Sequence, residues 1–236
     1  MGRLLLVGNS RWHWAERHGE QLRVWHEPAA SVAASLVAEQ AQSLEAWACV
    51  GHLPEALSLP PERRIGLERV PLQAAPVWLG VDRALAGWWA WRCQGGAVLV
   101  ADAGTCLSLT RVDGRGAFQG GRLSAGLALQ LRALGLGTAQ LPQDLMAVAA
   151  SGGADGALCW PHATAEAMQQ GCLRACAAAV QQGWREVQPS GVQADAPWQL
   201  WLTGGDAPLL APLLRQQGLE PVLAPDLALE GLAALA

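Results

Sequence analysis

Three apolar runs of this chain end in glycine turns whose composition suits an anion. Leu4 to Val7 stops at Gly8-Asn9-Ser10, Ala97 to Ala101 at Asp102-Ala103-Gly104-Thr105, and Trp198 to Leu202 at Thr203-Gly204-Gly205-Asp206-Ala207. A glycine without Cβ lets backbone N–H groups approach a phosphate closely, although each turn by itself also reads as ordinary hairpin chemistry. Three such turns in this order are hard to obtain from turn chemistry alone. Asp102, at the end of its apolar run, could give an oxygen ligand to Mg²⁺ or a monovalent cation at the phosphates, or simply stabilise its turn. In Gly80-Val81-Asp82-Arg83, Asp82 is either a functional carboxylate or the N-cap of the helix it begins. Arg83 could clamp a carboxylate bidentately or stand exposed.

Composition narrows the chemistry further. All 16 basic residues are Arg, so Schiff-base lysines, Gly-Lys-Ser/Thr phosphate loops and the kinase lysine–glutamate pair are excluded. With 20 acidic residues the net charge is -4 and no basic run occurs, which argues against a nucleic-acid partner. Hydrophobic residues make up 51% and charged residues 15%, enough apolar material for a packed core. Tyr is absent and Trp occurs 12 times, so Trp carries the aromatic packing. The cysteines at 49, 93, 106, 159, 172 and 176 form no Cys-x-x-Cys pair and read as thiols in a reducing compartment. No secretion signal and no apolar stretch of membrane-spanning length is visible, so the expected location is cytoplasmic, away from any membrane.

The elements that must position these residues follow from periodicity and breakers. Arg3 to Val7 and Arg11 to Ala15 form a hairpin signature, closed by a polar turn at His18-Gly19-Glu20. Residues 31–47 show helical spacing, followed by a short strand at Ala48-Cys49-Val50 and a Pro-rich loop from Pro54 to Pro61. A helix opens at Gly80 and stops at Gln94-Gly95-Gly96. Superposing Gly8 on Gly104 aligns Asn9 with Thr105, each glycine lying between an apolar strand and its hairpin partner, which reads as an internal duplication with a boundary near residue 95. Domains of 1–95 and 96–236 follow. The second half continues through the turn Asp113 to Gly116 into helices near Leu127 to Leu134 and from Thr164 to about Trp184. It then passes a linker-like stretch from Gln188 to Pro197, a strand at Trp198 to Leu202 and a final helix after Ala207.

From Gly8 to Ala207 the motifs, in order and spacing, resemble those of the type III pantothenate kinases. Gly8-Asn9-Ser10 is similar to that family's Gly-Asn-Thr/Ser phosphate motif, Gly80-Val81-Asp82-Arg83 to its Gly-x-Asp-Arg, and Asp102-Ala103-Gly104-Thr105 to its Asp-x-Gly-Thr. Thr164 to Gly171 looks like its Thr-x-x-Ala-Met/Ile-x-x-Gly, and Thr203 to Ala207 like its nucleotide-side turn. The resemblance implies an α/β fold of two ribonuclease H-like domains, with mixed sheets flanked by helices, in the acetate and sugar kinase, heat-shock cognate and actin superfamily. The implied activity is ATP-dependent phosphorylation of pantothenate to 4'-phosphopantothenate, the first step towards coenzyme A.

In that resemblance Asp82 is the general base, and Gly80, Val81, Asp82, Arg83 and Thr164 bind pantothenate. Gly8, Asn9, Ser10, Gly104, Thr105, Gly204 and Gly205 contact Mg²⁺-ATP, while Asp102 ligates a monovalent cation, K⁺ or NH₄⁺. A homodimer is implied as well, and Trp88, Trp89 and Trp91, directly after Gly-x-Asp-Arg, are candidates for its exposed apolar surface. The chain departs from the family pattern at four places. Leu6 stands where an Asp is usual, His13 where a Lys is, Gln73 where an aromatic is, and Ala125-Gly126 where Pro-Gly is. Leu6 is expected to face the phosphate crevice or lie just beneath it. The alternative implied by its loss of charge is a non-catalytic regulatory or binding homologue, resembling the Bvg accessory factor branch.

Overall fold

The computed structural model describes residues 2–19, 21–32, 41, 43–55, 57–142, 160–188 and 197–236. Nine strands and five helices are described. They are β1 (Arg3–Val7), β2 (Arg11–His18), β3 (Gln21–Pro28), β4 (Leu44–Cys49), α1 (Val81–Gln94), β5 (Val98–Ala103), β6 (Cys106–Val112) and β7 (Phe118–Ala125). The remainder are α2 (Leu127–Gly137), α3 (Thr164–Val187), β8 (Gln199–Thr203), α4 (Ala207–Gln216), β9 (Val222–Leu223) and α5 (Leu227–Leu235).

The strands form two sheets, ordered β3-β2-β1-β4 and β7-β6-β5-β8-β9. In the first, β1 and β2 pair antiparallel, β2 and β3 antiparallel, and β1 and β4 parallel. The second has the same order of hairpin-connected strands, with β8 running parallel to β5 and β9 added outside it. Two mixed sheets of matching topology, each accompanied by helices, bear out the duplication read from the repeated hairpin and the ribonuclease H-like arrangement that the family resemblance implies.

Compactness divides the chain differently from a single cut at residue 95. One unit gathers Met1–Ala97, Val112–Gln119 and Asp226–Ala236; the other holds Val98–Arg111 and Gly120–Pro225. The excursions have local causes. Asp113 Oδ1 accepts the N–H groups of Arg115 and Ala117, closing the tip between β6 and β7, and Gln73 exchanges backbone hydrogen bonds with Gly116 and Phe118. At the C-terminus, α5 packs on α1 so closely that a Cβ on Gly231 would lie 2.8 Å from the carbonyl oxygen of Leu85.

In the first unit Leu5, Val7, Trp12, Trp14, Leu44 and Trp47 share a buried cluster, with Trp25 stacked on Trp14 at 6.0 Å. Leu4 and Leu6, at the alternate positions of β1, are buried as well, as expected for a strand covered on both faces. The second unit is centred on Leu99, Ala101, Leu109, Val180, Leu202 and Leu210.

Three element expectations are corrected. The stretch 31–47 is not helical to its end, because Leu44–Cys49 is strand β4, paired with β1; positions 33–40 and 42 lie outside the described residues. A short continuous apolar run does not distinguish a buried strand from a helix, and here the pairing with β1 decides. The helix after Ala207 is not the last, since α5 follows it. The polar turn near Gly19 returns the chain into a further strand, β3, whose alternating exposure suits a sheet edge. The linker-like stretch falls mostly on 189–196, outside the described residues, as does Cys159.

Candidate active site

In the first unit the Gly8-Asn9-Ser10 turn joins β1 to β2. The Gly8 N–H donates to the Arg11 carbonyl at 3.0 Å, and the side chains of Asn9 and Ser10 are exposed. The turn is backed by a residue that the motif reading missed, Gly51, just past β4. Its N–H donates to the Val7 carbonyl at 3.1 Å, and a Cβ on it would overlap the Gly8 carbonyl and lie 3.2 Å from the Asn9 nitrogen. The available signal was a glycine directly after an apolar run, as at the other turns.

Beside this turn stands the start of α1. The N-cap is Gly80, with no side-chain cap, so Asp82 is not the N-cap; it sits in the first turn. There its Oδ1 accepts the Arg83 backbone N–H at 2.7 Å, which satisfies one of the free donors of the helix end. A Cβ at position 80 would lie 2.6 Å from Asp82 Oδ1, so glycine leaves the carboxylate its place. Burial pushes the Asp82 carboxyl above the usual carboxylate range, while the backbone N–H and guanidinium of Arg83 pull it back down. A carboxylate so placed is a stronger base than one in water. Val81 is buried and can contribute only wall and backbone, whereas Arg83 is half-buried.

A cleft of about 540 Å³ opens next to Gly80 and Val81, lined also by Val50, Arg64 and Glu68. The segment carrying Arg64 lies just past the Pro-rich loop of Pro54 to Pro61 and has no motif of its own. It is held in place by the Ile65 N–H to the Trp47 carbonyl at 2.7 Å and by the Arg64 guanidinium over the Trp47 ring at 5.6 Å. Aperiodic sequence carries no pattern that reports such tertiary anchoring.

The second unit gathers the other turns. Asp102 and Thr203 are cross-strand partners at the ends of β5 and β8. Gly204 follows with φ +91°, in the left-handed region, and a Cβ on it would overlap Asp102 Oδ1 and lie 2.5 Å from the Ala103 carbonyl oxygen. Both the backbone angle and the close approach require glycine. The Asp206 N–H donates to the Ala103 carbonyl at 2.8 Å, tying the third turn to the second. The Gly104 N–H donates to Cys106 O at 3.1 Å, and Gly126 packs on the carbonyls of Gly104 and Thr105. Thr105 and Gly205 are exposed; Thr164 opens α3 with its side chain exposed.

Among the described residues no three His, Cys, Asp or Glu side chains cluster as a metal site. Asp102 stands in a cradle that a Cβ at 204 would fill. A single carboxylate suits Mg²⁺ that keeps waters and takes its other ligands from substrate phosphates, so the donor set fits a metal–nucleotide complex. Cys172 and Cys176 are buried thiols, with the Gln130 amide 3.2 Å from the Cys176 sulfur.

Leu6 is buried, in register with His13 on β2 and Ala48 on β4, and His13 in turn with His26 on β3. The tryptophans of α1 are not an exposed patch. Trp88 is buried, Trp89 Nε1 donates to Glu230 at 3.1 Å and Trp91 Nε1 to the Gly114 carbonyl at 3.2 Å. Fourteen-residue α1 turns them inward against α5 and the Asp113 turn. The exposed apolar residues nearby are Val77, 97% exposed, and Trp78, 66%.

The description of the type III pantothenate kinases as a family matches residues 7–186 of this chain. The chain belongs to the type III pantothenate kinase family. It is 35% identical over 233 residues to the type III pantothenate kinase of Synechococcus elongatus, covering 91% of this chain and 88% of that one. A second type III pantothenate kinase, from Thermosynechococcus vestitus, is 35% identical over 89% of this chain and 80% of its own length. Among solved structures, the activator of the 2-hydroxyisocaproyl-CoA dehydratase from Clostridium difficile, with bound ADPNP, superposes with a TM-score of 0.55 at 13% identity. That likeness covers 99% of this chain and 92% of the activator, and it shows the shared fold. No described helix of this type III pantothenate kinase family member is long and apolar enough to cross a membrane.

Proposed function

We propose that Asp82 is the general base of the reaction this family catalyses, transfer of the γ-phosphoryl group of ATP to the 4'-hydroxyl of pantothenate, which begins coenzyme A synthesis. The observation that carries the assignment is the placement of a half-buried carboxylate, its pKa raised by desolvation, at a helix start whose N-cap is a glycine making room for it. Asp82 takes the hydroxyl proton as the oxygen attacks; Arg83, next along the helix, holds the acid end of pantothenate, and Gly80 and Val81, which line the cleft, hold its body. Thr164 adds a hydroxyl to the same substrate.

Gly8, Asn9 and Ser10, and likewise Gly104, Thr105, Gly204 and Gly205, are read as ATP contacts that offer backbone N–H groups and hydroxyls to phosphate. Phosphoryl transfer gains mainly from alignment and charge neutralisation, so a chain without lysine can carry it out. Mg²⁺ accompanying the nucleotide supplies charge neutralisation at the phosphates, and Asp102 orients that complex and holds the monovalent cation, K⁺ or NH₄⁺. The reading places the enzyme in the cytoplasm, as a homodimer whose subunits meet through the exposed Val77 and Trp78 rather than the tryptophans of α1. It keeps the boundary of the sequence duplication near residue 95, with domains of 1–95 and 96–236.

A coupled assay of ADP release with ATP, Mg²⁺ and K⁺ tests the reading. ADP release that depends on pantothenate is expected, and it falls at least about a hundredfold in Asp82→Asn. Wild-type turnover in that variant would remove Asp82 from the base role.

A further inference from the structure

Among the described residues lining the cleft beside Gly80 and Val81, Arg64 is the only cation. Its backbone is tied on both sides, the N–H donating to the Pro61 carbonyl at 3.2 Å and the carbonyl accepting from Arg69 Nη1 at 3.0 Å. Its guanidinium lies over the ring of Trp47, and that ring is fixed in turn, buried and with Nε1 donating to the Pro60 carbonyl at 2.7 Å. A long side chain is costly to immobilise, and here an aromatic face holds it before any ligand arrives. Arg64 nevertheless enters none of the ion pairs found among the described residues. Its charge is felt at the β4 wall of the cleft, where burial pushes the Cys49 thiol up and Arg64 draws it back down.

We infer that Arg64 sets the specificity of the acceptor site, as the guanidinium by which the cleft selects an alcohol carrying a carboxylate over a neutral one. The inference rests on the reading of the cleft as the pantothenate site.

The two ends of the substrate lead there. In pantothenate the reacting hydroxyl and the carboxylate stand at opposite ends of one chain. Arg83 is rooted beside the base, because the Cβ position above Gly80 that is 2.6 Å from Asp82 Oδ1 is also 3.7 Å from Arg83 Nε. The same position is 3.6 Å from Val50, a wall of the cleft, so a substrate with its hydroxyl at Asp82 runs past Gly80 and Val50 into it. The acid end is then met from α1 by Arg83 and from the segment after the Pro-rich loop by Arg64, a two-sided grip that one guanidinium does not give. Glu68 lines the cleft as well, its carboxylate folded over Gly66, where a Cβ would collide with it. That negative charge disfavours any anion in the cleft that is not met by a guanidinium, so the selection falls to the arginine.

The test compares two acceptors on the full chain by ADP release with Mg²⁺-ATP: pantothenate, and pantothenol, the neutral alcohol in which a primary hydroxyl replaces the carboxylate. In the wild type kcat/KM for pantothenate is expected to exceed that for pantothenol roughly tenfold or more, the size of one charge-assisted contact. Arg64→Gln should lower kcat/KM for pantothenate by about that factor, mostly through KM, and leave pantothenol and the ATP KM unmoved. Arg64→Lys, which keeps the charge but not the planar fork, should recover part of the preference. Arg92→Gln, in the last turn of α1, controls for net charge and should behave as the wild type. Equal losses for both acceptors in Arg64→Gln would make Arg64 a prop of the cleft wall through Trp47 and overturn the proposal. Val50→Phe separates the two levels by narrowing the cleft beside Gly80, and it should raise the KM of both acceptors. If it does so while Arg64→Gln changes neither, the proposal alone is overturned. If Val50→Phe leaves both KM values unmoved, the reading of the cleft fails and takes the proposal with it.

Discussion

The glycine turns after β1 and β5 share a backbone frame and differ two residues upstream. In both, the turn glycine donates its N–H to a carbonyl at the start of the next strand, and a second glycine, Gly51 or Gly126, packs against the turn's carbonyls. At the matching upstream positions stand Leu6 and Asp102. Asp102 keeps its carboxylate because Gly204 leaves it room, whereas Leu6 is 6% exposed in a row with Ala48, His13 and His26. The glycine and its backbone tie to the next strand have thus been retained, reaching Arg11 from Gly8 and Cys106 from Gly104, while the side-chain chemistry diverged. The carboxylate at this position belongs to the second turn, whereas the first unit places Asp82 in the first turn of α1 and His13 beside its own glycine turn.

The largest expected effect breaks this division at the base. Asp82→Asn should lower kcat by about 10² to 10⁴ without lowering the melting temperature. The raised carboxyl makes the folded chain bind more protons than the unfolded chain between the ordinary value of 3.8 and its own higher pKa, so ionisation of Asp82 costs stability as pH rises through that window. Asn removes this cost, and its relative stability should improve with pH across the same window in melts. The same carboxyl sets the acid limb of the wild-type kcat/KM profile above 3.8, and the profile should lose that limb only together with the activity.

Next in size is the second turn itself. Gly204→Ala places a Cβ at φ +91° against Asp102 and Ala103, and it should cost on the order of 1–3 kcal/mol, with loss of nucleotide binding by calorimetry. Gly51→Ala crowds the first turn instead; there φ is not in question, only the approach to Gly8, so a raised ATP KM with unchanged pantothenate KM is expected. Equal tolerance of both alanines would dissolve the comparison.

Leu6→Asp sharpens it. A carboxylate placed in the buried row beside His13 should lower stability by about 1–3 kcal/mol and lift the His13 pKa from its value of about 4, observable by histidine NMR titration. An unchanged His13 would mean that the row does not bring the two side chains together. The smallest effect on stability, within about 0.5 kcal/mol as for most surface changes, is expected for Trp78→Ser. Sedimentation should nevertheless show its dimer weakened.

Legibility followed the range of the interactions. The β1–β2 hairpin, the stop of α1 at Gly95, the Asp113 turn and α3 rest on contacts a few residues apart, and their signals lie in the same few residues. Strand β4 was misread because its apolar run serves a strand or a helix equally, and only β1 beside it selects the strand. Asp82 was legible as a chemical group but not as a residue of the first helical turn, because the cap was taken by a glycine with no side chain to announce it.

The sequence by itself determined the duplicated hairpins, the three glycine turns, the absence of lysine and the motif order that marks the family, since these depend on residue type and spacing alone. The tertiary structure decided which groups share an environment. Gly51 lies 43 residues from Gly8 yet touches it, Asp226 reaches His26 at 3.4 Å from the far end of the chain, and the tryptophans of α1 turn inward against Glu230 and Gly114. Burial and desolvation act through space, so the pKa shifts of Asp82, upward, and His13, downward, are set by packing between segments that no local pattern connects.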